Sequence, residues 1–517
     1  MGWGALALTL LLSTQPATAQ TANPTYDKIV DATIARYHLP GIAVGVIENG
    51  KIVYVRTAGE TTVGSGQKIN PQTLFKIASN SKAMTTALLG RLVDQGKLRW
   101  DDPVTRYLPQ FRMHDPWVTD NMRVADLLTH SSGLPLGGGD LMLWPEPNHF
   151  SRADIIHGLR YIKPAYSFRS QYQYDNLLYV VAGEVAAAAG GASYETLMRR
   201  EVFAPLGLNR CQVGQWNRDV VGNVAEPHRR VGGRNVVMGA DDSLIPAISS
   251  AAAGGIRCDL TDMLKWARNW LAPDAAQLQW LSPVQRDILQ APHMLIPVSA
   301  QRRAWDNTHV MAYGYGWRMA DVDGHWTVWH TGTLNGMYSM LALLPDRQSG
   351  FVFMINGEAA TARTVLGEVL LKQFTAPADH RGVAWYADAL EQQARQRPAA
   401  AAAPDTAGQR PVTPSELADW SGRYRDPWFG DISVCPRDGS LRFAAAKSPR
   451  LVGTVMRLGQ RLLVHWDDSA NLDAWLDFHP AEAGRPATLR MAKLDPLGDF
   501  SSDYEDLDFQ RVGSCPG

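Results

Sequence analysis

The stretch Phe75-Lys76-Ile77-Ala78-Ser79-Asn80-Ser81-Lys82 places a serine hydroxyl three residues ahead of an amine at the start of a helix. Met84, Leu88 and Leu92 follow at four-residue intervals with Ala87 and Val93 nearby, the spacing of a helix with one buried face. Residues three apart share a helix face, so Ser79 Oγ and the Lys82 amine come within hydrogen-bond reach. The helix N-terminus favours alkoxide character on a nucleophile, and burial lowers the Lys82 pKa so that it can accept the Ser79 proton. A serine cap followed by a solvated lysine is the ordinary explanation of Ser-x-x-Lys alone. The choice between the two depends on the rest of the chain.

Outward from that stretch, Tyr26 to Tyr37 has helical spacing, stopped by Leu39-Pro40. Gly41 to Ile47 and Lys51 to Val55 flank Glu48-Asn49-Gly50, a tight-turn signal that predicts a β-hairpin. Its partners are predicted far away, at Trp326 to His330, Tyr338 to Leu344 and Phe351 to Ile355, with a closing helix from Ala362 to Phe374. Between them, Val124 to Thr129, Tyr179 to Ala189, Tyr194 to Val202 and Asp262 to Trp270 have helical periodicity. The expected fold class is α+β: an antiparallel sheet made from both ends of a domain, flanked by helices, with a large helical insertion and Ser79 in the cleft between. The alanine and proline tract over 396–414 reads as a linker. Short alternating runs over 415–517, such as Arg461 to Trp466, predict a small all-β sandwich or barrel.

In a chain of 517 residues, 50 Lys and Arg against 51 Asp and Glu leave no global field to recruit nucleic acid or anionic membrane. A small-molecule or peptide substrate is the expected partner. Residues 1–19 read as a secretory signal, with an apolar run Ala5 to Leu12 and a small-x-small site at Ala17-Thr18-Ala19, although no Lys or Arg precedes the run. The run is too short to span a bilayer, and no later stretch is long and apolar enough, so a periplasmic or secreted protein cleaved near Ala19 is expected. Cys211, Cys258, Cys435 and Cys515 suit export without forming a dense framework. The domain division favours Cys435 with Cys515, leaving Cys211 and Cys258 to pair or stay free, and four buried free thiols are the alternative. The histidines, His130 and His228 included, lack metal-ligand spacing and are read as structural, so neither metal nor cofactor is expected.

Two further elements supply what Ser79 and Lys82 lack. In Gln173-Tyr174-Asp175-Asn176, Tyr174 can relay a proton to a leaving group and Asn176 can hold a substrate carbonyl or steady Lys82. His330-Thr331-Gly332-Thr333 closes a predicted strand, where glycine admits substrate backbone and the next amide can point at an oxyanion. Gly137-Gly138-Gly139 and the residues after it suit either a mobile flap over the cleft or a plain surface loop.

This order of Ser79-x-x-Lys82, Tyr174-x-Asn176 and His330-Thr331-Gly332 resembles the Ser-x-x-Lys, Tyr-x-Asn and Lys-Thr-Gly-like series of the penicillin-recognising serine hydrolases. Those include class C β-lactamases, D-alanyl-D-alanine carboxypeptidases, D-aminopeptidases and esterases. Asp126 to Pro135 and Ala253 to Arg257 resemble further family segments, and the likeness spans roughly 25 to 375. The resemblance implies a β-lactamase-like fold and acyl-enzyme catalysis by Ser79, with Lys82 and Tyr174 sharing proton transfers. It implies an oxyanion hole from the Ser79 and Thr333 amides, and substrate binding by Asn176, His330, Thr331 and Gly332. Histidine in place of the usual lysine at 330 implies weaker recognition of a free carboxylate, and so a D-amino-acid peptidase or esterase ahead of a β-lactamase or carboxypeptidase. A penicillin-binding sensor or non-catalytic binding protein is the alternative of another class. Gly422-Arg423-Tyr424 and Trp428-Phe429-Gly430 resemble a β-rich domain of unknown function that follows such hydrolases.

Overall fold

The computed structural model describes residues 22–239, 242–396, 403–482 and 486–516, so the predicted leader and residues 397–402 of the predicted linker lie outside the described residues. Asn23 caps the first helix, Pro24–Tyr37, by accepting from the N–H groups of Thr25 and Tyr26. The strands Gly41–Glu48 and Lys51–Gly59 form the expected hairpin. Asn49 and Gly50 both take positive φ, 49° and 73°, at its turn.

That hairpin is the edge of an eight-stranded antiparallel sheet. The order runs Lys51–Gly59, Gly41–Glu48, Ser349–Ile355, Met337–Leu344, His325–Leu334, Arg318–Val322, Met311–Tyr313, Met294–Leu295. Alternation along Gly41–Glu48 gives each face its own core. Val44 and Val46 pack with Tyr26, Val30 and Val365 from the terminal helices Pro24–Tyr37 and Ala360–Thr375. Ala43 and Ile47 join the core of the helical insertion, where Leu264 of the helix Leu260–Leu271 lies on the sheet. A Cβ on Gly45 would stand 2.7 Å from Leu264 Cδ1, so this strand position has to be bare for the helix to seat. A disulfide joins Cys211 to Cys258, and Cys258 pairs across a short ladder with Phe75 at the entry to the serine turn.

Several elements differ from expectation. The His330-Thr331-Gly332-Thr333 segment does not end its strand: the strand continues to Leu334 and turns at Gly336, which takes the positive φ. Val124–Leu128 is a 3-10 turn, and Tyr194–Leu197 passes into a π-helical stretch, Met198–Phe203. A helix over Val383–Arg395 follows the predicted closing helix and was not anticipated.

The C-terminal module is a closed barrel of eight antiparallel strands, Gly422–Asp426 through Asp508–Gly513, sealed by pairing of Val452–Leu458 with Arg461–Trp466. Arg410–Pro411 adds to Val452–Leu458 and Val412 is fully buried, so the second part of the expected linker belongs to this module. Cys435 and Cys515 are bonded, the pairing that the domain division favoured. Trp428 and Phe429 bridge the barrel and the hydrolase domain, Phe429 lying 5.6 Å from Phe150 and 6.0 Å from Phe509 of the barrel between ring centroids.

Candidate active site

Ser79 sits half-buried on a 3-10 turn, Ala78–Asn80, immediately before the helix Ser81–Asp94. Ala78 takes a φ of 49°, a left-handed conformation that costs an L-residue energy and is held here by its surroundings. The strand His325–Leu334 runs against this turn. A Cβ on Gly332 would lie 2.2 Å from both Ile77 O and Ser339 Oγ, so glycine is what allows the approach. Ser339 Oγ donates to Ile77 O at 2.9 Å and accepts from Asn80 Nδ2 at 2.8 Å, tying the neighbouring strand to the same turn.

Lys82 is fully buried. Its Nζ lies 3.1 Å from Ser79 Oγ, 2.8 Å from Asn176 Oδ1 and 2.8 Å from Ala253 O. The two carbonyl oxygens accept two N–H bonds, and the remaining tetrahedral position of Nζ points at Ser79. Burial, opposed by Asp140 and reinforced by Arg318, lowers the Lys82 pKa to about 7, so at neutral pH the amine is available to take the serine proton. Tyr174 and Tyr179 present their rings to Nζ at 4.9 Å and 5.2 Å. Burial raises the Tyr174 pKa above the ordinary tyrosine range while a hydrogen bond with Ser79 lowers it, and the phenol keeps its proton at neutral pH.

The sheet register opens the other wall. Arg318 pairs with Trp329 at the end of its ladder, so the segment 330–334 pairs with Met337–Leu344 on one side and leaves its other backbone edge open beside Ser79. Thr331 is half-buried and Thr333 exposed on this edge. His330 is fully buried, with its ring 6.4 Å from that of Tyr174. Its Nδ1 donates to Thr331 O at 2.8 Å, and Nε2 accepts from Tyr313 Oη at 2.9 Å. Burial, with Arg318 and Lys82 nearby, pushes its pKa well below 6.5, so the ring is neutral. The expected substrate contact by the imidazole is corrected accordingly: both nitrogens are spent inside the protein.

Residues outside the three motifs complete the site. Arg318 stands 5.3 Å over the Tyr174 ring and donates to Tyr172 Oη at 3.3 Å. Arg363 donates to Gly332 O at 2.7 Å and to Thr333 Oγ1, placing a guanidinium at the open strand edge. His130 is buried against Tyr174, with ring centroids 4.1 Å apart, and its Nδ1 accepts from the Asp175 N–H. His228 is structural, accepting from the Val63 N–H and donating to Asn356 O. The Gly137 to Gly139 segment is packed, which excludes the flap: Gly137 N–H donates to Tyr174 O, and Asp140 is fully buried. Asp140 Oδ2 accepts from Asn176 Nδ2 at 2.8 Å and from Ser501 Oγ of the barrel at 2.7 Å. Phe500 packs edge-on to Tyr174 at 5.9 Å. Sequence reading missed Asp140, Phe500 and Ser501 because nothing in local spacing links a glycine-rich loop to a turn some 360 residues later.

A family model described as beta-lactamase matches residues 26–376, and one described as a domain of unknown function (DUF3471) matches residues 406–511. The chain is 29% identical to a beta-lactamase of Escherichia coli over 66% of this chain and 80% of that one. It is 25% identical to an unguisins hydrolase of Aspergillus campestris, covering 79% and 77%, and 25% identical to penicillin-binding protein 4 of Amycolatopsis lactamdurans, covering 68% and 93%. In fold it is similar to the octameric penicillin-binding protein homologue from Pyrococcus abyssi, with a TM-score of 0.58 at 18% identity, covering 94% of this chain and 99% of that one. The Ser79 turn, the buried amine and the open strand edge all fall within the matched residues, and the chain belongs to the beta-lactamase family of serine hydrolases.

Proposed function

We infer that this is an exported hydrolase that cleaves an amide, peptide or ester through an acyl-Ser79 intermediate, most like the D-amino-acid peptidases and esterases. The observation that carries the reading is Lys82, buried, lowered to about 7 and aimed at Ser79 Oγ by two fixed acceptors. The amine takes the serine proton as Oγ attacks the carbonyl carbon, and the developing oxyanion is received by the Ser79 and Thr333 amides. Tyr174 gives its proton to the departing nitrogen or oxygen and regains one from the Lys82 ammonium. Water then attacks the acyl group by the reverse proton path and releases the acid. A neutral, inward-facing His330 favours substrates without a free carboxylate at that position.

One observation favours a second reading. The Arg363 guanidinium beside Thr333 offers a cation where position 330 has none, which suits a carboxylate-bearing substrate and so a carboxypeptidase or β-lactamase. A panel of p-nitrophenyl esters, D-aminoacyl amides, D-Ala-D-Ala peptides and a chromogenic cephalosporin separates the two readings. Ser79→Ala is expected to reduce turnover of whichever substrate is cleaved to background with the circular-dichroism spectrum unchanged. Undiminished turnover would overturn the assignment. A long-lived penicillin adduct without turnover of any substrate would favour a penicillin-binding sensor instead.

A further inference from the structure

We propose that Asp140, held in place by Ser501 and Asp503 of the barrel, is a positioning residue for acylation that fixes the Asn176 amide and thereby aims the Lys82 lone pair at Ser79. The inference rests on the acyl-Ser79 reading. A neutral amine has two N–H donors and one lone pair. Asn176 Oδ1 and Ala253 O take the donors, which leaves the lone pair for the Ser79 hydroxyl. That assignment requires the Asn176 oxygen, not its NH₂, to face Lys82. A flipped amide would donate to the lone pair and occupy the base.

Asp140 is what holds the amide in this sense. Its Oδ2 accepts from Asn176 Nδ2 at 2.8 Å, and a flipped amide would set oxygen against oxygen there. The barrel grips Asp140 by side chain and backbone together. Ser501 Oγ donates to Oδ2 at 2.7 Å, while the Asp503 carboxylate accepts from the N–H groups of Gly139 and Leu141, which flank Asp140, at 2.6 Å and 3.0 Å. A Cβ on Gly137 would stand 2.7 Å from Phe500 Cδ2, so the glycine run is shaped to receive the barrel segment. The C-terminal module is thus part of the acylation machinery.

Asp140 also acts through charge. It is the main group that opposes the fall of the Lys82 pKa. The other titratable neighbours of Lys82 are Asp175, Arg318, His130 and His330, with the Tyr174 and Tyr179 rings. Asp140 itself faces Asp175 and, from the barrel, Asp503. Burial raises the Asp140 pKa to about 8, so it is only partly ionised where Lys82 titrates; the charge it carries there favours the Lys82 ammonium, and its removal lets the neutral amine appear at somewhat lower pH.

The test is the rate of Ser79 modification by a fluorophosphonate probe, followed by intact mass from pH 5 to 10 on the full chain, with thermal unfolding in parallel. Asp140→Leu is expected to lower the plateau rate about tenfold or more, because Asn176 Nδ2 loses its acceptor. Asp140→Asn restores an acceptor oxygen and recovers rate, but its rising limb lies at lower pH than that of the wild type. Ser501→Ala moves the limb the same way by less. Should Asp140→Leu fail to fold, the limbs of Asp140→Asn and Ser501→Ala decide. Wild-type limbs in both, or rate losses that merely follow the folded fraction, would overturn the inference alone. Absence of a Ser79 adduct in the wild type would overturn it together with the acyl-Ser79 reading.

Discussion

At the scale of the residue, the proposed chemistry depends on a lysine that is no longer an ordinary lysine. An exposed lysine loses its proton near pH 10.4, whereas burial among Arg318, Tyr174 and Tyr179 brings Lys82 to about 7. The sign follows from the role: only the neutral amine accepts the Ser79 proton, so acylation rises with pH through about 7 and then levels. Tyr174 keeps its proton above the ordinary tyrosine range, so no falling limb is expected below pH 10. A stopped-flow pH profile of ester acylation checks both, and a limb near 10 would show that Lys82 keeps the pKa of an exposed lysine. The identities of Ser79, Lys82, Tyr174 and Asn176 were legible in the sequence because they recur in fixed local spacings. The inward turn of His330 was not, since Tyr313, which binds its Nε2, comes from another strand.

At the scale of the element, the strand His325–Leu334 and the turn Ala78–Asn80 work as one piece. Their contact is possible because position 332 carries no Cβ. Gly332→Ala forces the strand off the turn by an ångström or more to relieve two contacts of 2.2 Å. Misplacement on that scale costs about 100-fold in rate, and kcat/KM on the best ester is expected to fall by that order with only a modest drop in Tm. Apolar runs and turn signals placed five of the eight strands, whereas Arg318–Val322, Met311–Tyr313 and Met294–Leu295 and the division of the sheet into two faces came only with the structure. The His330 strand runs past its expected end because Gly332 serves the close approach to Ile77, while Gly336 makes the turn.

At the scale of the whole molecule, two domains share a core through Trp428 and Phe429, and the barrel reaches Tyr174, Asp140 and the Gly139 amide through Phe500, Ser501 and Asp503. The Cys435–Cys515 bond closes a loop across a sequence separation of 80 residues and so restricts the unfolded chain. Replacing both cysteines by serine is expected to lower barrel stability by about 2–4 kcal/mol, read as a lower urea midpoint by tryptophan fluorescence. The sequence by itself determined the α+β class, the hairpin, the β-rich module and the Ser-x-x-Lys spacing that sets Ser79 beside Lys82, because each is written in short-range periodicity or spacing. Only the tertiary structure decided that the glycine loop is packed rather than mobile, that the imidazole is spent internally, and that the second domain braces Asp140. Those depend on contacts between segments hundreds of residues apart, where the free energy lies in burial and hydrogen bonding that no local pattern encodes.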